Sequence, residues 1–115
     1  MSDIEEITKK ILKFRDDRDW KQFHNPKDMA ISLSLEASEV LEHFQWKSKE
    51  EIEQYVKTHK EHIGEELADV LYWVLLMSHD LGVDIIKASE KKMKKNSEKY
   101  PIEKAKGSNK KYNQL

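Results

Sequence analysis

The sequence predicts an all-α protein, a four-helix-type bundle that assembles as a homo-oligomer. Three observations carry this. Gly and Pro number only three and two in 115 residues, 37% of the residues are charged, and Glu, Lys and Leu are abundant, a composition that fills helices and leaves little for strands or long loops. Helix start signals recur along the chain, each followed by apolar residues at helical spacing. The stretch from Leu67 to Met77 is apolar on nearly every side, more than so small a bundle needs for its own core, which points to a subunit interface.

Ser2 with Glu5 forms a capping-box pattern opening a first helix through Ile7, Ile11, Leu12 and Phe14, ending near Trp20. Asn25 followed by Pro26 is an N-cap with proline at the first helical position, and the second helix continues through Leu33, Val40 and Leu41 toward Phe44. Ser48 with Glu51 opens a short segment, EEIEQYV, which bridges to a third helix over 61–81. Gly82 suits the left-handed residue after a helix end, and Asp84 caps a fourth helix that stops before Pro101. This gives one helical domain over 1–101 and a lysine-rich polar tail over 102–115.

Composition also excludes several chemistries. With no cysteine there is neither a disulfide framework nor a thiolate site. The N-terminus, MSDIEEITKK, is too acidic and polar for a secretory signal, so a cytoplasmic location is expected. The longest uncharged run, Val70 to Ser78, falls short of the roughly 20 residues that span a bilayer, so no membrane segment is expected. The net charge of −1 conceals an asymmetry, with ten Lys against three Glu from Lys87 onward. Such a surface suits a phosphorylated small molecule, an acidic partner or plain solvation. No Gly-rich phosphate loop, Ser-His-Asp order or thiol nucleophile can be assembled from the chain.

Two acidic pairs, Glu36 with Glu39 and Glu66 with Asp69, are set three apart in otherwise apolar helical stretches, SLSLEASEVLEHF and GEELADVLYWVLLM. Residues three apart share one side of a helix, so two such helices packed together converge four carboxylates. Four converging carboxylates repel one another and resist burial unless a cation joins them. Oxygen-only donors suit a hard divalent ion, Mg or Mn, better than Zn. Asp69, between Ala68 and Val70 on the all-round apolar stretch, is expected to be buried and to need such a partner.

Three Trp in so short a chain, with Phe23, His24, Phe44 and Tyr72 near them in sequence, suggest a second feature. Trp20 and Trp46 flank the second helix and can reach the mouth of a site at its two ends. Aromatic planes beside a metal-carboxylate cage suit a nucleobase above a polyphosphate. Phe14, Phe44 and Tyr55 read as core filling, while His24 either contacts substrate or shapes its loop. His59 and His62 straddle Glu61 in a polar KTHKEH setting and read as an exposed helix start.

The ordered segments FRDDRDWKQFHNP, SLEASEVLEHFQWKS, EELADVLYW, KKMKKNSEKYP and AKGSNKKY span nearly the whole chain. Together they resemble the MazG-like all-α nucleoside triphosphate pyrophosphohydrolases, and among these the dCTP pyrophosphatase branch. The resemblance puts metal ligands on Glu36, Glu39, Glu66 and Asp69, and base-recognition aromatics on Trp20, His24 and Trp46. It places Lys92 and Asn96 toward phosphate and sugar. Two departures stand out: Leu35 occupies a position where many MazG-like chains have a further Glu, and Trp73 one where the branch often has Tyr, which alters the base or sugar pocket.

The implied reaction is Mg-dependent hydrolysis of a (deoxy)nucleoside triphosphate, dCTP or a modified pyrimidine, to monophosphate and pyrophosphate for nucleotide-pool sanitation. Glu39 would act on the attacking water. A dimer or tetramer is expected, without stable nucleic-acid binding. The rival is a non-catalytic dimeric adaptor that meets an acidic partner or nucleic acid through its lysine-rich end, and for which neutralising Glu36 or Asp69 leaves function intact. A di-iron bundle would need Glu-x-x-His pairs, and the chain has none.

Overall fold

The computed structural model describes residues 2–115, and every regular element among them is helical. These are α1 (Asp3–Asp17), α2 (Pro26–Glu42), α3 (Lys49–Asp80), α4 (Ile85–Lys99) and α5 (Ile102–Ala105), with single 3-10 turns at Lys21–Phe23 and Tyr112–Gln114. The chain forms two compact units, one ending at Gly82 and the other comprising Val83–Leu115. Among the described residues, no helix is long and apolar enough to cross a membrane.

The start signals act as their residue types require. Asn25 Oδ1 accepts from Asp28 N at 2.9 Å, Ser2 Oγ from Glu5 N at 3.2 Å, and Asp84 Oδ1 from Lys87 N at 3.1 Å, each satisfying a backbone donor that the first helical turn leaves over. Both halves of a capping box form at Ser48 and Glu51. Gly82 takes φ of +69° after α3, a conformation that costs glycine little.

The segment after Ser48 does not end before the third helix. It is continuous with it, and the junction is a kink at His59, where φ is −122° and ψ 18°. Thr58 Oγ1 donates to the Tyr55 carbonyl at 3.2 Å, and His59 Nδ1 lies 3.1 Å from the same oxygen. Side chains thus compete with the backbone for one rung of the helical ladder, a recognised cause of bending. The His59 ring stacks on Tyr55 at 3.9 Å, so it is part of the bend and not the free helix start that its polar neighbours suggest.

In the first unit α2 and α1 both pack against α3. The buried apolar residues are few: Ile11 from α1, Met29 from α2, and Leu75 and Leu76 from α3. Arg15, at the end of α1, is buried with them and makes a two-point ion pair with Asp80 at the end of α3. The apolar stretch of α3 is covered only toward its C-terminal end. Leu67 and Leu71 remain 53% and 42% exposed, and Leu35 on α2 61%. Asp69 is also exposed within a single copy, contrary to the burial expected of it, because its side of α3 borders an open cavity and not a packed neighbour.

In the second unit the residues after Pro101 have structure of their own. The Tyr112 ring meets Tyr100 edge-on at 6.2 Å and lies under Lys99 Nζ at 4.9 Å, which folds the tail back onto the end of α4.

Candidate metal centre and its adjoining cavity

Packing α2 along α3 sets the two acidic pairs face to face. One oxygen from each of Glu36, Glu39, Glu66 and Asp69 lies within 4.8 Å of all the others, with Glu36 and Glu66 half-buried and Glu39 and Asp69 exposed. The crowding raises proton affinity. Glu66 is pushed up to about 7, first by its hydrogen bond with Glu39, then by burial and by repulsion from Glu39, Asp69 and Glu36. Glu36 is raised mainly by burial, with Glu39 and Asp69 adding to it.

The inner oxygens of the cluster carry further information. Glu36 Oε2 and Glu66 Oε2 are both buried without any hydrogen-bond partner, although an unpaired buried acceptor ordinarily costs about 1–3 kcal/mol. A proton can satisfy one carboxylate, but it leaves the rest of the cluster short of positive charge. An all-oxygen donor set with buried lone pairs directed inward fits a hard divalent cation. Behind the cluster, His43 Nε2 lies 3.9 Å from Glu66 Oε1, and His43 Nδ1 is hydrogen-bonded to the Tyr55 hydroxyl at 2.6 Å. This backing chain has no sequence signature, because His43 follows the end of α2 while Tyr55 and Glu66 come from different turns of α3.

Beside the carboxylates opens a cavity of about 470 Å³. Glu36 and Asp69 border it on one side, and Trp20, His24 and Trp73 line it with Phe14 and Tyr72. The rings brace one another: Trp20 against Phe14 at 5.6 Å, Phe14 against Tyr72 at 6.2 Å, and His24 against Trp73 at 5.2 Å, all edge-on. Arg18 caps Phe14 from outside at 3.8 Å. An apolar slot of this size with carboxylates at one edge takes a flat ring while leaving an attached anion near the cation site.

The structure therefore brings together seven of the residues read from the sequence: the four carboxylates with Trp20, His24 and Trp73. Trp46 is not among the cavity residues. It stands 91% exposed with φ of +68°, a left-handed backbone that is strained for a bulky side chain. Lys92 and Asn96 lie on α4 in the second unit. Lys10, Ile11, Phe14 and Tyr72 are the lining residues not singled out as site residues beforehand; Phe14 read as core and is instead 41% exposed at the cavity wall. The stripe of Ile7, Ile11 and Phe14 has the same period whether it meets a neighbour or a cavity.

The geometry has counterparts among known proteins. A sequence model described as the MazG-like family matches residues 31–115. Curated relatives named dCTP pyrophosphatase 1 are 36% identical in Rattus norvegicus and 33% identical in Homo sapiens, each over 114 residues, covering 97% of this chain and 67% of theirs. A crystal structure of a pyrophosphatase from Archaeoglobus fulgidus superimposes with a TM-score of 0.83 at 38% identity, covering 88% of this chain and 94% of that one.

Proposed function

The chain belongs to the MazG-like family, and from that premise we propose that it is a Mg-dependent nucleoside triphosphate pyrophosphohydrolase that converts dCTP or a modified pyrimidine deoxynucleotide to the monophosphate and pyrophosphate. The observation that carries this reading is the pair of buried, unpartnered carboxylate oxygens on Glu36 and Glu66, placed beside an aromatic cavity that takes a base.

Glu36, Glu39, Glu66 and Asp69 would hold the metal, with Mg favoured by their oxygen-only chemistry and Mn able to substitute. When bound, Mg supplies charge neutralisation for the triphosphate and a lowered pKa for an attacking water. Glu39, an exposed member of the cluster, would accept the proton of the water that attacks the α-phosphorus, with pyrophosphate leaving. Glu36 and Asp69, common to the cluster and the cavity, set the distance between the phosphates and the base. Trp20 and Trp73 hold the base by ring contact, and His24 supplies a polar contact at its edge. Lys92 and Asn96 are assigned to phosphate and sugar.

Homo-oligomer formation belongs to the same reading. Leu35, Leu67 and Leu71 leave apolar surface open on α2 and α3, which a second copy would cover. Trp46, held outward by a strained backbone, is assigned to base contact within that assembly. The cellular role that follows is removal of surplus or altered pyrimidine triphosphates in the cytoplasm.

Product analysis over a panel of dNTPs and NTPs, with and without Mg, tests the assignment. Wild-type protein is expected to release monophosphate and pyrophosphate only with the metal, and Glu36→Gln to lose about a hundredfold or more of that activity. Orthophosphate as the product, or full activity in Glu36→Gln, would overturn it.

A further inference from the structure

The loop between α1 and α2, which carries Trp20 and His24, is anchored on Arg15 twice. The Arg15 carbonyl accepts from Trp20 N at 3.1 Å. Its guanidinium belongs to a residue only 1% exposed and donates to Asp80 from Nη1 to Oδ2 at 2.7 Å and from Nη2 to Oδ1 at 3.0 Å. The same Nη1 stands 3.4 Å from His24 Nδ1. The Arg15–Asp80 pair lies outside the carboxylate cluster, and no role in the reaction has yet been given to it.

The donor inventory decides what this contact means for the ring. A guanidinium offers N–H groups and no acceptor, so His24 Nδ1 must accept, and the single proton of the neutral imidazole sits on Nε2. A proton on Nδ1 would set an N–H against a cation. Burial, followed by the charge of Arg15, also holds His24 below the usual histidine range, while Asp80 opposes the shift. Asp80 is the one neighbour able to draw a proton to Nδ1, and Arg15 occupies both of its oxygens.

We propose that Arg15 and Asp80 are positioning residues that fix His24 as the neutral Nε2–H tautomer, so that its ring meets the substrate as a hydrogen-bond donor to a base carbonyl oxygen or unprotonated ring nitrogen and not as a cation to phosphate. The recognition half rests on the nucleotide reading above; the tautomer half stands without it. The arrangement divides labour along the cavity. Phosphate charge would be met at the carboxylate end, while the His24 edge of the cavity, which Lys10 also lines, stays neutral and selects by hydrogen bonding, where an unmatched buried donor is penalised.

The test is long-range nitrogen-15 to proton correlation NMR on the full chain in Mg-containing buffer near neutral pH, with His24 assigned by loss of its signals in His24→Gln. Wild-type His24 is expected to show a protonated Nε2 and a bare Nδ1. The double variant Arg15→Met/Asp80→Leu replaces the ion pair with apolar bulk, an exchange that buried pairs often tolerate without loss of fold. It is expected to give a mixture of tautomers, together with a rise of about tenfold in KM for the preferred nucleotide, equivalent to about 1.4 kcal/mol, and a smaller change in kcat. A protonated Nδ1 in the wild type, or an unchanged tautomer in the folded double variant, overturns the positioning role whether or not nucleotides are hydrolysed. A released tautomer with unchanged KM overturns the recognition half. Absence of turnover by the wild type would strike the pyrophosphohydrolase reading instead, and the nitrogen shifts, which need no substrate, keep the two failures apart.

Discussion

Behind His24, at the aromatic flank of the cavity, Arg15 and Asp80 neutralise each other through two hydrogen bonds. At the opposite flank, Glu36 and Glu66 each keep a buried oxygen with no partner. Both places gather charge in a partly buried setting and both leave a buried polar atom unpartnered, Arg15 Nε at the first, yet in charge one is complete within the chain and the other is not. The contrast separates structure from function. A buried ion pair with both partners present fixes geometry, whereas like charges gathered without a counterion are stable only when something else supplies it. The aromatic end of the cavity is thus preformed, whereas the carboxylate end lacks a countercharge of its own.

Removing half of the complete flank should have the largest effect on folding. Arg15→Ala leaves Asp80 without its counterion, and because the Asp80 side chain keeps 20% of its exposure, a loss of about 3 kcal/mol is expected, at the lower end for broken buried pairs. Urea unfolding measures this; a loss below about 1 kcal/mol would mean the pair carries no more than an exposed salt bridge does.

The incomplete flank should respond to metal and pH together. Glu66 is pushed up to about 7 in the folded chain against an ordinary value of 4.5. Between those values the folded state binds more protons than the unfolded state, so metal-free stability falls as pH rises through this window. Mg should reverse the trend, adding about 2.7 kcal/mol at a free concentration one hundred times its Kd. Thermal unfolding with and without Mg across this range is the check. A Mg effect that grows as the pH is lowered would contradict carboxylates as its ligands.

A smaller effect sharpens the comparison from outside both flanks. Trp46 is almost fully exposed, so Trp46→Ala should leave the unfolding midpoint nearly unchanged while raising KM about tenfold, in line with the roughly 1–3 kcal/mol that base stacking supplies. Steady-state kinetics beside a melting curve separates the two. Loss of stability without a change in KM would return Trp46 to a structural part.

How legible each part was in the sequence follows from how local its cause is. The helix starts at Asn25, Ser48 and Asp84 could be read because a cap and its target are three residues apart. The carboxylate cluster could be read because i, i+3 spacing fixes each pair on one face, leaving only the packing of α2 on α3 to supply. Arg15 and Asp80 are separated by 65 positions, and nothing in FRDDRDW or SHDLGVD says which acid and which base will meet. Phe14 illustrates another limit, since periodicity shows that a face is apolar but not whether protein or a cavity covers it. For Asp69 the all-round apolar pattern suggested burial, but its side of α3 faces the other carboxylates and an open cavity.

The kink at His59 has a consequence for how this architecture tolerates change in length. In an unbroken α-helix each inserted residue turns everything beyond it by about 100°, so a single insertion near the start of α3 would swing Glu66 and Asp69 away from Glu36 and Glu39. The non-helical His59 interrupts that transmission. The arm over 49–58 thus has a rotational phase of its own, fixed where Tyr55 meets His43, while the stretch bearing the carboxylates takes its phase from packing on α2.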